Sequence, residues 1–161
     1  MHFSLTRRLG FVTVAAFLTI IFVNYPVLSA PSQTQRLTSS EIRTMIQQSR
    51  DAWVKGDAAA FAALFTDDGE LIVPGQRWQG RRAIETETAN FVRQFSVAIE
   101  IQKVLVEGNQ AAIEWDWQET PKAGGQTRQT QDAILIEFEA GQIRRWREYI
   151  DAETSVTQDQ T

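Results

Sequence analysis

WVKGDAAAFAALFTDDGELIVPGQRWQG, residues 53–80, is the stretch on which the reading of the fold turns. Gly56 is placed to end a helix in the left-handed conformation, and Asp57 to cap the next with its carboxylate. That next helix is short and buries Phe61, Leu64 and Phe65. Thr66-Asp67-Asp68-Gly69 reads as a turn with Gly69 at positive φ. Leu71–Val73 and Gln76–Trp78 flank Pro74-Gly75 as a small hairpin, and Gly80 opens a third helix. The apolar face of that helix is Ile84, Phe91, Val92 and Phe95.

Upstream, Thr38-Ser39-Ser40-Glu41 has the spacing of a capping box, in which hydroxyl and carboxylate exchange hydrogen bonds with each other's backbone amides. Ile42, Met45, Ile46, Ala52 and Trp53 then recur at the period of one buried helix face. Downstream the period changes from 3.6 to two. Val97–Glu107, Ala111–Thr120, Thr127–Phe138 and Gln142–Asp151 read as four strands, separated by Gly108-Asn109, the Pro121–Gln126 loop and Glu139-Ala140-Gly141. Helices first and a meander after them predict an α+β domain, with three N-terminal helices packed on a curved, mostly antiparallel sheet.

The 161 residues suffice for one domain with a core, and 43% hydrophobic with 22% charged residues excludes wholesale disorder. A net charge of -4, with no basic run beyond short Arg pairs, predicts no nucleic-acid partner. The absence of cysteine rules out disulfides, thiol catalysis and cysteine metal sites, and the one histidine is His2. Proton transfer in the domain therefore falls to carboxylates, Tyr or Lys. Asp67 and Asp68 belong to a turn signature, so neither a metal nor a cofactor is predicted. Arg7-Arg8 followed by the apolar run 9–28 and small residues at Ser29-Ala30 reads as a cleaved secretory signal or an uncleaved membrane anchor. Either one exports the domain, to the periplasm or outside the cell, or tethers it beyond the membrane, with no other membrane contact expected. The predicted organisation is a leader at 1–30, a polar linker at 31–38, a domain at 39–151 and a polar tail at 152–161.

Trp53-x-x-Gly56-Asp57, Leu64-Phe65-x-Asp67-Asp68-Gly69, the strand into Pro74, Gly80-Arg-Arg-Ala-Ile84 and the closing Gly141-Gln-Ile-Arg-Arg-Trp-Arg-Glu-Tyr-Ile-Asp151 together resemble the SnoaL-like branch of the nuclear transport factor 2-like superfamily. The resemblance implies a cone-shaped α+β barrel with a pocket at its wide mouth, often a homodimer packed through the outer sheet face. Laying the ketosteroid isomerase pattern on the shared landmarks puts its catalytic Tyr at Ser49, its proton-shuttling Asp at Val73 and its protonated Asp near Ile134 or Leu135. All three roles are vacant. The dehydratase imidazole also has no counterpart.

The most apolar alternating sets are Ile113, Trp115 and Trp117; Ile134, Ile136 and Phe138; and Trp146 and Ile150. Taken as inward, they bring Glu148 and Asp132 onto the cone's inner face, where aromatic walls would desolvate a carboxylate and suit it to acid–base work. Glu148 and Asp132 are accordingly the candidate catalytic residues. Asp151, in the closing Tyr-x-Asp, is a third, although alternation points it outward. Trp53, Phe65, Trp78, Trp115, Trp117, Ile134, Trp146 and Ile150 are the candidate ligand-binding set. Arg144, Arg145 and Arg147 are expected to pair across strands with Glu137 and Glu139. Three functions follow as expectations: binding of a small hydrophobic molecule without strong catalysis, a carboxylate-driven isomerase, cyclase or hydrolase, or a dimerisation domain whose cone its own tryptophans fill.

Overall fold

A computed structural model describes residues 36–151. The predicted leader, most of the linker and the polar tail lie outside the described residues. Among the described residues, no helix is long and apolar enough to cross a membrane.

Helix α1 spans Ser39–Lys55, α2 Ala58–Ala63 and α3 Arg81–Gln94; the strands are β1 Phe65–Val73, β2 Gln76–Gln79, β3 Phe95–Glu107, β4 Gln110–Pro121, β5 Arg128–Glu139 and β6 Gln142–Asp151. The Thr38–Glu41 capping box forms as the sequence predicts, Gly56 caps α1 at φ 69°, and Asp57 accepts from the Ala60 amide at 2.9 Å. Each cap satisfies a terminal backbone group that packing alone would leave unpaired.

The strands form one curved sheet in the order β2-β1-β6-β5-β4-β3. It is mixed and does not close, because β2 and β3 remain as edges. The hairpin around Pro74-Gly75 forms as read, with Leu71 opposite Trp78 and Val73 opposite Gln76, at one edge of this sheet. Strand β1 runs parallel to β6, so the last strand of the domain lies inside the sheet.

Thr66–Gly69 departs from the sequence reading. These residues belong to β1, and Gly69 is not among the glycines at positive φ. Between the Phe65–Ile143 and Glu70–Arg145 pairs, four residues of β1 stand against Arg144 alone, so the segment bulges out of the sheet. Arg144 donates to the Asp68 carbonyl at 3.1 Å, and Arg81 donates to the Phe65 carbonyl at 2.7 Å and pairs with Asp67 at 3.1 Å. Glycine at 69 is demanded by proximity: a Cβ there would lie 3.1 Å from the Ile143 carbonyl, the Phe65 side chain and the Thr66 carbonyl. A second bulge leaves Arg144 unpaired with β5 and keeps both Ile143 and Trp146 facing the core. Of the expected cross-strand pairs, Arg144–Glu139 (3.5 Å) and Arg145–Glu137 (3.7 Å) form. Arg147 instead lies over the Tyr149 ring at 5.2 Å.

The inward faces are those that alternation predicts. Ile113, Trp115, Ile134, Ile136, Phe138 and Trp146 are buried against Ile42, Ile46, Phe61 and Phe65. Phe61 meets Trp146 edge-on at 5.6 Å, and Trp115 tilts against Trp146 at 5.6 Å. Such contacts add about 0.5–1.5 kcal/mol each beyond area burial. This aromatic layer is the floor on which the functional site rests.

Candidate functional site

Above the floor a cavity of about 240 Å³ lies between α1, α3 and the inner sheet face, walled mainly by Trp53, Trp78, Phe91, Trp117 and Ile150. It is smaller than the pockets that hold drug-sized ligands. Six polar or charged residues complete the deeper wall and rim: Thr88, Thr130, Asp132, Glu148 and, beyond them, the pair Arg128–Glu119. Leu71, Val73, Gln76 and Glu87 fill the remainder.

Of the ligand-binding candidates, Trp53, Trp78, Trp117 and Ile150 line the cavity. Phe65, Trp115, Ile134 and Trp146 are wholly buried below it and do not line it. Their size suited them to a pocket wall, but the bulges and helices bring them into the core. Of the three acids, Glu148 and Asp132 come together at the cavity, two residues apart across β5–β6, since Ile134 faces Glu148 and Asp132 faces Ile150. Asp151 is exposed at the end of β6 opposite Gln131 and lies outside the cavity. The residues sequence reasoning did not select are Leu71, Val73, Gln76, Glu87, Thr88, Phe91, Glu119, Arg128 and Thr130. Thr88 had a legible signal: it interrupts the apolar row Ile84–Val92 at spacings of four, where only a polar residue with a special environment belongs.

The carboxylates are held by indoles. Trp146 Nε1 donates to Glu148 Oε1 at 2.7 Å, Trp115 Nε1 to Asp132 Oδ2 at 3.3 Å, and Trp117 Nε1 to Glu119 Oε2 at 3.0 Å. Two of these pairs are residue i with residue i+2, which a strand places side by side on one face. Burial pushes the Glu148 carboxyl up to about 7; the Trp146 hydrogen bond works against that rise and the charge of Asp132 adds to it. Burial also raises Asp132, opposed by the Thr130 hydroxyl and the Trp115 indole. A neutral indole donor stabilises a carboxylate less than a cation does, so burial prevails.

Three buried polar atoms of the wall have no hydrogen-bond partner: Trp53 Nε1, Thr88 Oγ1 and Asp132 Oδ1. Orphaned groups of this kind are rare, because each costs about 1–3 kcal/mol. The isomerase positions carry no replacement chemistry. Ser49 is buried with its hydroxyl bonded to the Met45 carbonyl, Val73 is a wall residue, Ile134 is core and Leu135 is half exposed on the outer face. Among the described residues, no cluster of His, Cys, Asp and Glu has the arrangement of a metal site.

Residues 46–146 match the SnoaL-like domain family. The chain belongs to that family. Among solved structures, a hypothetical protein with a ketosteroid isomerase-like fold from Catenulispora acidiphila, in complex with trimethylamine, superposes with a TM-score of 0.65 at 20% identity, covering 71% of this chain and 90% of its own. An LEH-like epoxide hydrolase from M. tuberculosis gives 0.65 at 20% identity, over 72% of this chain and 86% of its own. A nuclear transport factor 2-like protein of unknown function from Burkholderia xenovorans gives 0.57 at 20%, over 70% and 84%. No curated protein matches the sequence. At these identities the SnoaL-like chain shares a fold with its structural relatives, and its chemistry has to be read from its own cavity.

Proposed function

We propose that this SnoaL-like domain binds a small organic molecule, apolar over most of its surface and polar at one end, in the cavity between α1, α3 and the sheet. The observation that carries this reading is the coincidence of an aromatic-walled cavity with three unpartnered buried polar atoms in its wall. A domain whose cone its own tryptophans fill has no use for either. The relative crystallised with trimethylamine and the epoxide hydrolase relative support the reading to the extent that this fold accommodates small organic molecules. The reading includes export or tethering by residues 9–28, supported by the sequence pattern alone. It also includes a homodimer through the outer sheet face, supported by exposed Leu105, Leu135 and Tyr149. Native mass spectrometry of the full chain tests both proposals in one measurement. The expected species is a dimer carrying a small-molecule adduct; a bare dimer counts against the ligand and a bare monomer against both.

A second reading, a proton-transfer enzyme, is favoured by one observation: Glu148 is raised to about 7 beside a second carboxylate, which suits a general acid or base at neutral pH. In this reading Glu148 moves the proton and Asp132 sets its affinity. Turnover of an epoxide or ketone substrate that disappears in Glu148→Gln, while adduct binding persists, selects the enzyme. Turnover that survives the substitution eliminates Glu148 as the acid or base.

A further inference from the structure

The charges around the cavity do not balance. Arg128 is paired with Glu119 at 3.8 Å. Glu87, Asp132 and Glu148 also line the cavity, and among the described residues none of them has an ion-pair partner within 4 Å. Asp132 and Glu148 are tied to indole N–H groups, which orient a carboxylate without neutralising it. The rings of Trp53, Trp78, Phe91 and Trp117 line the same cavity. The negative faces of aromatic rings attract cations and offer nothing to anions. Orphaned Asp132 Oδ1 calls for a donor, whereas orphaned Trp53 Nε1 calls for an acceptor and Thr88 Oγ1 takes either.

We infer that the cavity takes a small protonated amine with apolar substituents and an oxygen acceptor, its ammonium group seated between the aromatic faces and the Asp132–Glu148 carboxylates. The inference rests on the ligand-binding reading above and names the chemical class of the ligand. A cation entering this site leaves water at a cost, but its partners are already desolvated by folding, so only one side of the pair is stripped on binding. The ammonium stands where the carboxylate pair otherwise holds a proton: binding releases that proton from Glu148 to solvent and leaves the pair ionised against the bound charge. Glu87, Glu119 and Arg128 are the other charged groups at the cavity, and their sum is one negative charge, which reinforces the preference.

The test compares two probes of one shape. Dimethylaminoethanol is protonated at neutral pH, and isoamyl alcohol carries a carbon where the amine has nitrogen; both end in the same hydroxyl. Each is titrated into the full chain just above the Glu148 midpoint, with the indole N–H resonances as readout, and benzene, small and uncharged, is titrated separately as a general probe for an apolar cavity. The amine is expected to bind at least about tenfold more tightly than the alcohol, with the Trp53 and Trp117 resonances moving. Equal affinities, or tighter binding of the alcohol, overturn the inference while leaving an apolar ligand in the cavity. If neither probe binds, the inference fails; if benzene also stays out, the ligand-binding reading fails with it. Asp132→Asn, which preserves the side chain's shape, is expected to erase the preference for the amine. A preference unchanged in that variant, at unchanged fold, overturns the seat assigned to the ammonium.

Discussion

Glu148→Gln is expected to make the protein more stable, and only above mildly acidic pH. An unfolded glutamate titrates near 4.5, whereas folded Glu148 titrates near 7 because burial disfavours its charge. A folded-state value above the unfolded one means that the native protein holds the proton more tightly. The associated stability is therefore fully present below about 4.5 and lost as pH rises through about 7. At 1.36 kcal/mol per unit the loss is about 3 kcal/mol for the wild type, and glutamine, which cannot ionise, escapes it. Thermal melts should coincide near pH 4 and diverge progressively, with the variant about 10 °C higher at about pH 8. The glutamine carbonyl keeps the Trp146 hydrogen bond, so packing is not the variable. A difference that does not change with pH would mean that Glu148 titrates like an exposed glutamate.

Trp146→Ala should be the most damaging substitution in the described domain. Trp146 is wholly buried, touches Phe61, Phe65 and Trp115, and carries the donor that orients Glu148. Removing a large core aromatic costs about 3–5 kcal/mol, a large share of a total that is typically about 5–15 kcal/mol. Denaturant unfolding should show the midpoint fall by a third or more with little change in slope. Trp146→Phe separates the two roles of the side chain. It retains most of the packing but deletes the indole N–H, leaving Glu148 with one favourable contact fewer. Its stability loss should be smaller, and the pH midpoint of the Glu148 effect should move above that of the wild type. An unmoved midpoint would show that the indole orients nothing.

Residues whose signal is local were legible in the sequence. The Thr38–Glu41 box, the Gly56 and Asp57 caps and the period-two strands each depend on neighbours within a few positions, and each forms as read. The inward placement of Glu148 and Asp132 was legible for the same reason, since alternation along one strand determines the face. The bulge at Thr66–Gly69 was not. Asp-Asp-Gly has turn composition, and what makes it a strand is Arg144 and Ile143 from the far end of the chain. The division of the large aromatics into wall and floor was equally hidden. Trp115 and Trp117 alternate on one face of one strand, and only the helices above decide that the first is sealed and the second reaches the cavity. Arg128 and Thr130 escaped notice because neither stands out by composition. They matter because β5 runs beneath the cavity.

The position of β6 between β1 and β5 bears on how the domain comes into being. The bond from Gln142 to the Phe65 carbonyl joins residues 77 apart in sequence, and the parallel β1–β6 ladder has the same long reach. Helices α1 to α3 and the β3–β4–β5 meander close short loops and are free to form early. The β2–β1 hairpin has nowhere to dock until the last strand exists. High contact order of this kind places folding in milliseconds to seconds rather than microseconds. On the ribosome, the sheet stays in two parts, and the cavity lacks the wall that Glu148 and Ile150 supply, until the residues up to Asp151 have emerged.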